Sequence, residues 1–187
     1  KIIVREMTDA LVLDLVEKKL VTDQLVLDVG YDIENLTDPE HRKKYCGEVR
    51  ADRYGRLVPK HAHGTANLKK KTSSTSQIME AVLELYDRIV DENLLIRRVY
   101  VTANHVVDEQ TISEETEFTQ MDLFTDYQAV AEEQKAEQEK REKERRLQEA
   151  MLSVKKKYGK NAVLKGTNLQ EGATMQERNN QIGGHHA

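Results

Sequence analysis

Polar and basic side chains recur, mostly at alternate positions, in two separate segments of the chain. One segment carries Lys60, His61, His63, Thr65 and Asn67, and the other carries Arg98, Tyr100, Thr102 and Asn104. Alternate side chains of a β-strand point to the same face. Two such strands in one sheet would form a polar, basic face, and such a face suits contacts with phosphate groups.

A basic stretch surrounds the first of these segments. Residues 41–71 contain ten Lys or Arg against two acids, a local charge of +8, although the net charge of the chain is −4. Lys69 and Lys70 lie at the end of this stretch and join the candidate phosphate contacts. A basic patch in an acidic protein is typical of a surface that faces a polyanion. The alternative interpretation is a solvated, lysine-rich loop.

A His-x-His pair raises the question of a metal site. His61 and His63 would lie on one face of a strand, where two imidazoles can bind a metal ion, but the sequence offers no clear third ligand. Cys46, the single cysteine, has no partner for a disulfide or a metal site. The sequence therefore predicts no metal and no cofactor, and we interpret both histidines as phosphate-facing side chains.

The elements that would position these side chains follow from the apolar periodicity. Residues 2–20 and 74–92 have apolar side chains at three- and four-residue steps, which predicts two amphipathic helices. Ser74 and Gln77 form a capping-box pair at the start of the second helix. Alternation predicts strands over residues 24–31, 56–68 and 94–106, and residues 32–55 are interpreted as a long basic hairpin connection. The expected fold class is α+β, an antiparallel sheet with two helices packed on one face.

Apolar residues are concentrated in residues 1–107, so we expect the packed core and the DNA-binding domain there. Residues 108–127 begin with an acidic stretch and are predicted to be a linker. Residues 128–158 are rich in charge and poor in apolar anchors, which predicts a charged helix that acts as a spacer with little burial. Residues 159–187 show no clear period and are predicted to be an irregular C-terminal tail.

The location of the protein is predicted from what the sequence lacks. No apolar run approaches the ~20 residues that a membrane span needs, and there is no signal-peptide pattern. We therefore expect a cytoplasmic protein in a reducing compartment. The first residue is Lys1, within a helical pattern, which indicates a piece of a longer protein.

The order helix, strand, basic connection, strand, helix, strand resembles the little-finger domain of Y-family DNA polymerases. Among these translesion enzymes, the similarity is to the UmuC-like proteins of Gram-positive bacteria. The segment 60–68 resembles the third little-finger strand, and residues 156–166 and 177–185 resemble the end of those proteins. The first strand of that domain is absent from this chain.

This resemblance implies a function in error-prone DNA repair and SOS mutagenesis. The sheet would bind primer-template duplex DNA without reading its sequence, through Lys60, His61, His63, Thr65, Asn67, Lys69, Lys70, Arg98, Tyr100, Thr102 and Asn104. The palm, with its acidic residues and Mg²⁺, is not in this chain, so no residue is assigned a catalytic role. The resemblance implies a monomeric fragment that has no polymerase activity alone.

A short apolar motif follows the acidic stretch. Gln120, Met121, Asp122, Leu123 and Phe124 resemble the pentapeptide with which bacterial proteins bind the sliding clamp. Gln120 would offer an amide to a polar rim, while Leu123 and Phe124 would fill an apolar pocket. The alternative is that these apolar residues dock on their own domain.

Two other functions remain open at the level of sequence. The chain would also fit a non-enzymatic DNA-binding adaptor that the sliding clamp recruits, and palm motifs upstream of Lys1 would distinguish the polymerase from the adaptor. Alternatively, residues 128–187 would be the functional part, as a helical interaction segment.

Overall fold

The computed structural model describes residues 1–112, 127–182 and 185–186. Two 3₁₀ turns, Glu109–Thr111 and Gly166–Leu169, supplement the regular elements. In chain order these elements are α1 (Ile2–Glu17), β1 (Leu20–Tyr31), α2 (Glu34–Thr37), α3 (Pro39–Lys44), β2 (Val49–Ala51), β3 (Leu57–Pro59), β4 (Ala62–Thr72), α4 (Thr75–Ile89), β5 (Ile96–Asn104), β6 (Val107–Asp108), α5 (Tyr127–Tyr158), α6 (Met175–Asn179), β7 (Gln181–Ile182) and β8 (His185–His186).

The fold is α+β with an antiparallel sheet, as the sequence predicted. β1 lies in the middle of the main sheet, with β4 on one side and β5 on the other. Leu27 illustrates the register of the sheet: it pairs with Gly64 of β4 and with Val101 of β5. The short strand β6 pairs with the start of β1.

One face of this sheet is covered by α1 and α4. Leu25, Leu27 and Val29 of β1 are fully buried beneath the two helices. The helices bury side chains at three- and four-residue steps, the pattern that gives a helix one apolar face. The buried side chains are Val4, Val12, Leu15 and Val16 from α1 and Ile78, Val82, Leu85 and Tyr86 from α4. Within the described residues, the fully buried apolar cluster comes from residues 1–107, as expected.

The ends of both main helices follow from local chemistry. The predicted helix over residues 2–20 is too long, because Lys19 adopts a left-handed backbone (φ 55°) that ends α1 and leads into β1. The predicted cap of the second helix is confirmed. The Ser74 hydroxyl accepts a hydrogen bond from the Gln77 N–H at 3.4 Å, and α4 begins at the next residue.

The predicted strand over residues 56–68 is wrong, since two strands of different sheets occupy this segment. β3 pairs with β2 in a separate hairpin, and β4 begins only at Ala62. Pro59 has no N–H for a further ladder bond, which favours the end of a strand. Residues 32–55 also contain two short helices, and the Asp38 carboxylate caps the second of them by accepting from the N–H groups of Glu40 and His41.

The C-terminal half of α5 packs against the domain, so its interpretation as a spacer with little burial is wrong there. The buried Gln148 side chain donates to the Ser73 carbonyl oxygen at 3.0 Å and to the Thr75 hydroxyl at 2.9 Å. Glu144 accepts from the Ser76 N–H at 2.8 Å, at the start of α4, where the helix dipole favours a negative charge. Leu152 packs against the core cluster.

The tail is joined to α1 through a buried carboxylate. The Glu6 side chain is 1% exposed and accepts hydrogen bonds from Asn168, from the Thr174 and Met175 N–H groups, and from Arg178, at 2.9–3.2 Å. Burial alone would raise the pKa of Glu6, but these hydrogen bonds together lower that pKa below its ordinary value. The segment after Gly166 is therefore docked on the domain by polar contacts.

Within the part of the chain that the structure describes, no helix has the length and apolar character that a membrane crossing requires.

Candidate nucleic-acid interface

The sheet face opposite α1 and α4, which we call the open face, carries polar side chains from three strands. β1 contributes Gln24, Val26 and Asp28, which alternate with its buried positions, and then Gly30, which is buried beneath the Arg98 side chain. Their cross-strand neighbours are His63, Thr65 and Asn67 of β4, and Arg98, Tyr100, Thr102 and Asn104 of β5. The structure thus brings together on one surface most of the side chains that the sequence selected.

The register arranges these side chains in rows across the sheet. The rows are Asn67, Gln24 and Asn104; Thr65, Val26 and Thr102; His63, Asp28 and Tyr100; and, at the end of the sheet, Gly30 and Arg98. In the first row the Gln24 amide donates to Asn67 Oδ1 at 2.9 Å and accepts from Asn104 Nδ2 at 3.1 Å. Each amide nitrogen has two N–H groups, so this row retains donors for an acceptor above the sheet.

Asp28 lies at the centre of the open face, between two histidines. Its carboxylate is 3.1 Å from His61 Nδ1 and 3.2 Å from His63 Nδ1. This carboxylate adds a negative charge to the open face, and a negative charge repels a phosphate. The sequence interpretation did not select Asp28 as a site residue, although its alternation with Gln24 and Val26 is the pattern that could have identified it.

Gly30 provides the space in which Arg98 lies. A Cβ at Gly30 would be 2.6 Å from Arg98 Nε and 2.7 Å from Arg98 Cγ, so the arginine side chain crosses the sheet directly over the glycine. Arg98 is exposed at this end of the open face. The glycine therefore determines the path of this arginine.

The β2–β3 hairpin and this end of the sheet enclose a basic cleft of about 350 Å³, which we call the arginine cleft. The hairpin contributes three arginines and β5 contributes two. The basic residues that line the cleft are Arg50, Arg53, Arg56, Arg97, Arg98 and His61. The sequence interpretation selected only Arg98 and His61 from this set. It did not separate the β2–β3 hairpin from the strand that it predicted over residues 56–68.

Three predicted lysine contacts lie away from the centre of the open face. Lys60 lies between β3 and β4, and its ammonium group is 2.8 Å from a Glu48 carboxylate oxygen. Lys69 and Lys70 lie near the other end of β4, in a surface hollow lined also by Glu80 and Glu84 of α4. These three lysines add positive charge around the open face and do not belong to its rows.

Two further expectations concern the clamp-binding peptide and metal binding. The predicted clamp-binding residues Gln120, Met121, Asp122, Leu123 and Phe124 lie outside the described residues. Within residues 1–112, 127–182 and 185–186, no group of three His, Cys, Asp or Glu side chains is arranged to hold a metal ion.

Comparison of the chain with protein-family models, with curated proteins and with solved structures finds no match. The functional argument therefore depends on the geometry of the open face and on the residues themselves.

Proposed function

We propose that the open face binds duplex DNA through its phosphates, without reading the base sequence. The observation that carries this proposal is the polar face itself, on which Tyr100 is 54% exposed and whose rows hold amides, hydroxyls, imidazoles and Arg98 side by side. Contacts of these groups with phosphates position a protein on DNA and carry no direct sequence information. Such a grip suits a protein that must accept any template.

The dimensions of the open face support this function. Successive rows are two residues apart, or ~6.6 Å along a strand, so the rows from Asn67 to Arg98 extend over about 20 Å. Phosphates of one DNA strand follow each other at ~3.4 Å along the helix axis. The open face is thus long enough to lie along about six phosphates of one strand.

Within a cell, we propose that this chain is the C-terminal part of a Y-family translesion polymerase, and that the pentapeptide Gln120–Phe124 binds the sliding clamp. The resemblance of residues 60–68 and of the pentapeptide supports this context. The polymerase chemistry, with its Mg²⁺, would belong to a palm domain outside this chain, and the chain alone would be inactive.

The DNA-binding proposal is tested by changing the charge of the open face. Thr102→Glu places a carboxylate in the middle of an exposed row, and the affinity for a fluorescent duplex should fall roughly fivefold to tenfold, since charges ~4 Å apart interact by ~1 kcal/mol in water. Asp28→Asn removes a carboxylate from the same face and should increase the affinity. Lys143→Glu, on the exposed side of α5, is the control; it changes the net charge by two units, one more than Thr102→Glu, and should still change the affinity less than about twofold.

The salt dependence gives an independent measurement. The logarithm of the association constant should fall by ~0.9 per logarithmic unit of salt for each phosphate contacted. A flat salt dependence, or equal effects of Thr102→Glu and Lys143→Glu, would contradict binding through the open face.

The clamp proposal is tested by the double substitution Leu123→Ala with Phe124→Ala. Removal of both apolar anchors should abolish pull-down by the purified sliding clamp, because such anchors carry most of the binding energy of a short motif. Duplex affinity should remain unchanged. Retained clamp binding would exclude the pentapeptide as the recruiting element.

A further inference from the structure

The arginine cleft differs in shape and charge from the open face beside it. It is lined by five arginines and one carboxylate, that of Asp52. The open face is a broad surface, whereas the cleft has walls on two sides, formed by the β2–β3 hairpin and by the end of the sheet at Gly30. A ligand of the cleft must therefore be narrow and strongly negative.

Neighbouring carboxylates neutralise some of these arginines. Arg50 pairs with Glu48 at 2.7 Å, Arg56 with Asp52 at 2.7 Å and Arg97 with Asp32 at 3.1 Å. These carboxylates stay ionised at neutral pH. Hydrogen bonds lower the pKa of each, mainly from Lys60 to Glu48, from Arg56 to Asp52 and from the Glu34 N–H to Asp32.

Arg53 and Arg98 differ from these three paired arginines. Within the described residues, neither guanidinium group forms an ion pair with a carboxylate. Arg53 lies over the ring of Tyr54, with its central carbon 4.7 Å from the ring centroid, and donates to the Tyr54 hydroxyl. Arg98 is held over Gly30. Two arginines whose charge is not balanced thus line one cleft, in a geometry that leaves their outward N–H groups for an anion.

The volume of the cleft decides what kind of anion fits. About 350 Å³ lies at the lower end of the range of small-molecule pockets, ~300–1,000 Å³, so the cleft can hold one or two nucleotide units. A DNA duplex is far wider and cannot enter. The cleft is also continuous with the open face, since Gly30, His61 and Arg98 belong to both.

We infer that the arginine cleft binds the phosphates of a single, unpaired DNA strand that continues from the duplex on the open face. This inference rests on the proposed function, because the duplex delivers the strand to the cleft. Arg53 and Arg98 contact the phosphodiester groups of the strand, and the three paired arginines shape the walls. The protein thereby distinguishes a duplex with an unpaired end from a blunt one.

The test compares two fluorescent probes with the whole chain, a blunt duplex and the same duplex with a thymidine overhang of ~6 nucleotides, made with either polarity. Wild-type protein should bind an overhang probe roughly tenfold more tightly, the effect of one or two charge-assisted hydrogen bonds. Arg53→Gln should remove this difference and leave the blunt-duplex affinity unchanged. The salt slope for the overhang probe should fall by ~0.7 for each lost single-strand contact.

Two control variants accompany Arg53→Gln. Arg53→Lys keeps the charge without the planar fork and should restore part of the preference for the overhang. Arg146→Gln removes an exposed arginine from α5 and should leave both affinities unchanged, which separates a local effect from a change in net charge. Circular dichroism should show the same folded spectrum for all three variants.

Each outcome bears on one of the two proposals. If the blunt duplex does not bind, the proposed function of the open face fails. If the blunt duplex binds but the overhang adds no affinity, the cleft inference is overturned and the open-face function stands. If Arg53→Gln weakens both probes equally, the cleft contacts the duplex itself, which also overturns the inference.

Discussion

The two faces of β1 show how one strand supports two environments. Leu25, Leu27 and Val29 face α1 and α4 and are fully buried, whereas Gln24, Val26 and Asp28 alternate with them on the open face and keep part of their surface exposed. An antiparallel sheet with one packed face and one solvated face commonly shows such alternation. The packed face provides stability, and the open face is available for binding.

The C-terminal elements also contact the helical side of the sheet. α5 is a 32-residue helix and could cover a sheet, yet it contacts α1 and the start of α4, and the tail also docks on α1. These contacts depend on Gln148, Glu144 and the buried Glu6. The described part of these C-terminal elements thus packs against the helical layer, and Tyr100 of the open face stays 54% exposed.

The largest expected difference in the free energy of unfolding between variants of the two faces comes from two adjacent residues of β1. Leu27→Ala removes a fully buried side chain and should lower the free energy of unfolding by ~2–5 kcal/mol, through lost burial and a cavity. Val26→Ala, one residue earlier on the open face, should cost less than ~1 kcal/mol. Urea denaturation followed by circular dichroism measures both, and similar losses would contradict the two-face description.

The docking of the tail gives a second prediction. Glu6→Gln leaves one acceptor oxygen and turns an NH₂ group towards donors such as the Thr174 N–H and Arg178, so docking should weaken by ~1.5–3 kcal/mol. Hydrogen exchange of the Thr174 and Met175 amides should accelerate. Duplex affinity should stay within about twofold of wild type, since the tail lies away from the open face. A large loss of duplex affinity would show that the two regions are coupled.

The same carboxylate predicts a dependence on pH. Because the pKa of Glu6 is lower in the folded protein than its ordinary value of 4.5, its stabilising effect is present above about pH 4.5 and is lost as the pH falls below that value. Tail protection measured from pH 6 to pH 3 should therefore decline in the wild type. Glu6→Gln should show a weaker decline, and identical profiles would exclude Glu6 as the titrating group.

The sequence predicted the parts of the fold that depend on periodicity. Leu25, Leu27 and Val29 alternate, and Ile78, Val82 and Leu85 follow a helical repeat, so the sheet, its helices and its open face were foreseeable. The docking of α5 was not, because its anchors, Glu144 and Gln148, are polar, and a polar residue in a charged helix has the same sequence pattern whether it is buried or solvated.

The arginine cleft was hidden from the sequence for another reason. Its residues are distant in the chain, with Arg53 in the hairpin and Arg98 in β5, and the folded β2–β3 hairpin brings them to one cleft. An irregular segment gives no period from which a neighbour could be inferred. For the same reason, Asp28 was seen as part of a strand but not as the partner of His61 and His63.

Two glycines on opposite faces give the last comparison, and it includes the smallest expected effect on stability, that of Gly30→Ala. A Cβ at Gly64 would be 2.8 Å from Leu85 Cδ1 and 3.2 Å from Ile89 Cδ1, inside the packed layer, so Gly64→Ala should destabilise the protein by ~1–3 kcal/mol. The three atoms nearest to a Cβ at Gly30 all belong to the Arg98 side chain, which is exposed and can turn into solvent, so the unfolding free energy of Gly30→Ala should stay within ~0.5 kcal/mol of wild type.

The same two variants should reverse their order in a binding measurement. Gly30→Ala displaces Arg98 from its path over the sheet, so the affinity for the overhang probe should fall although the protein is as stable as wild type. Gly64→Ala should bind that probe normally under conditions where it remains folded, because its added methyl group lies on the packed face. If Gly30→Ala bound the overhang probe as tightly as wild type, the position of Arg98 over Gly30 would have no part in binding.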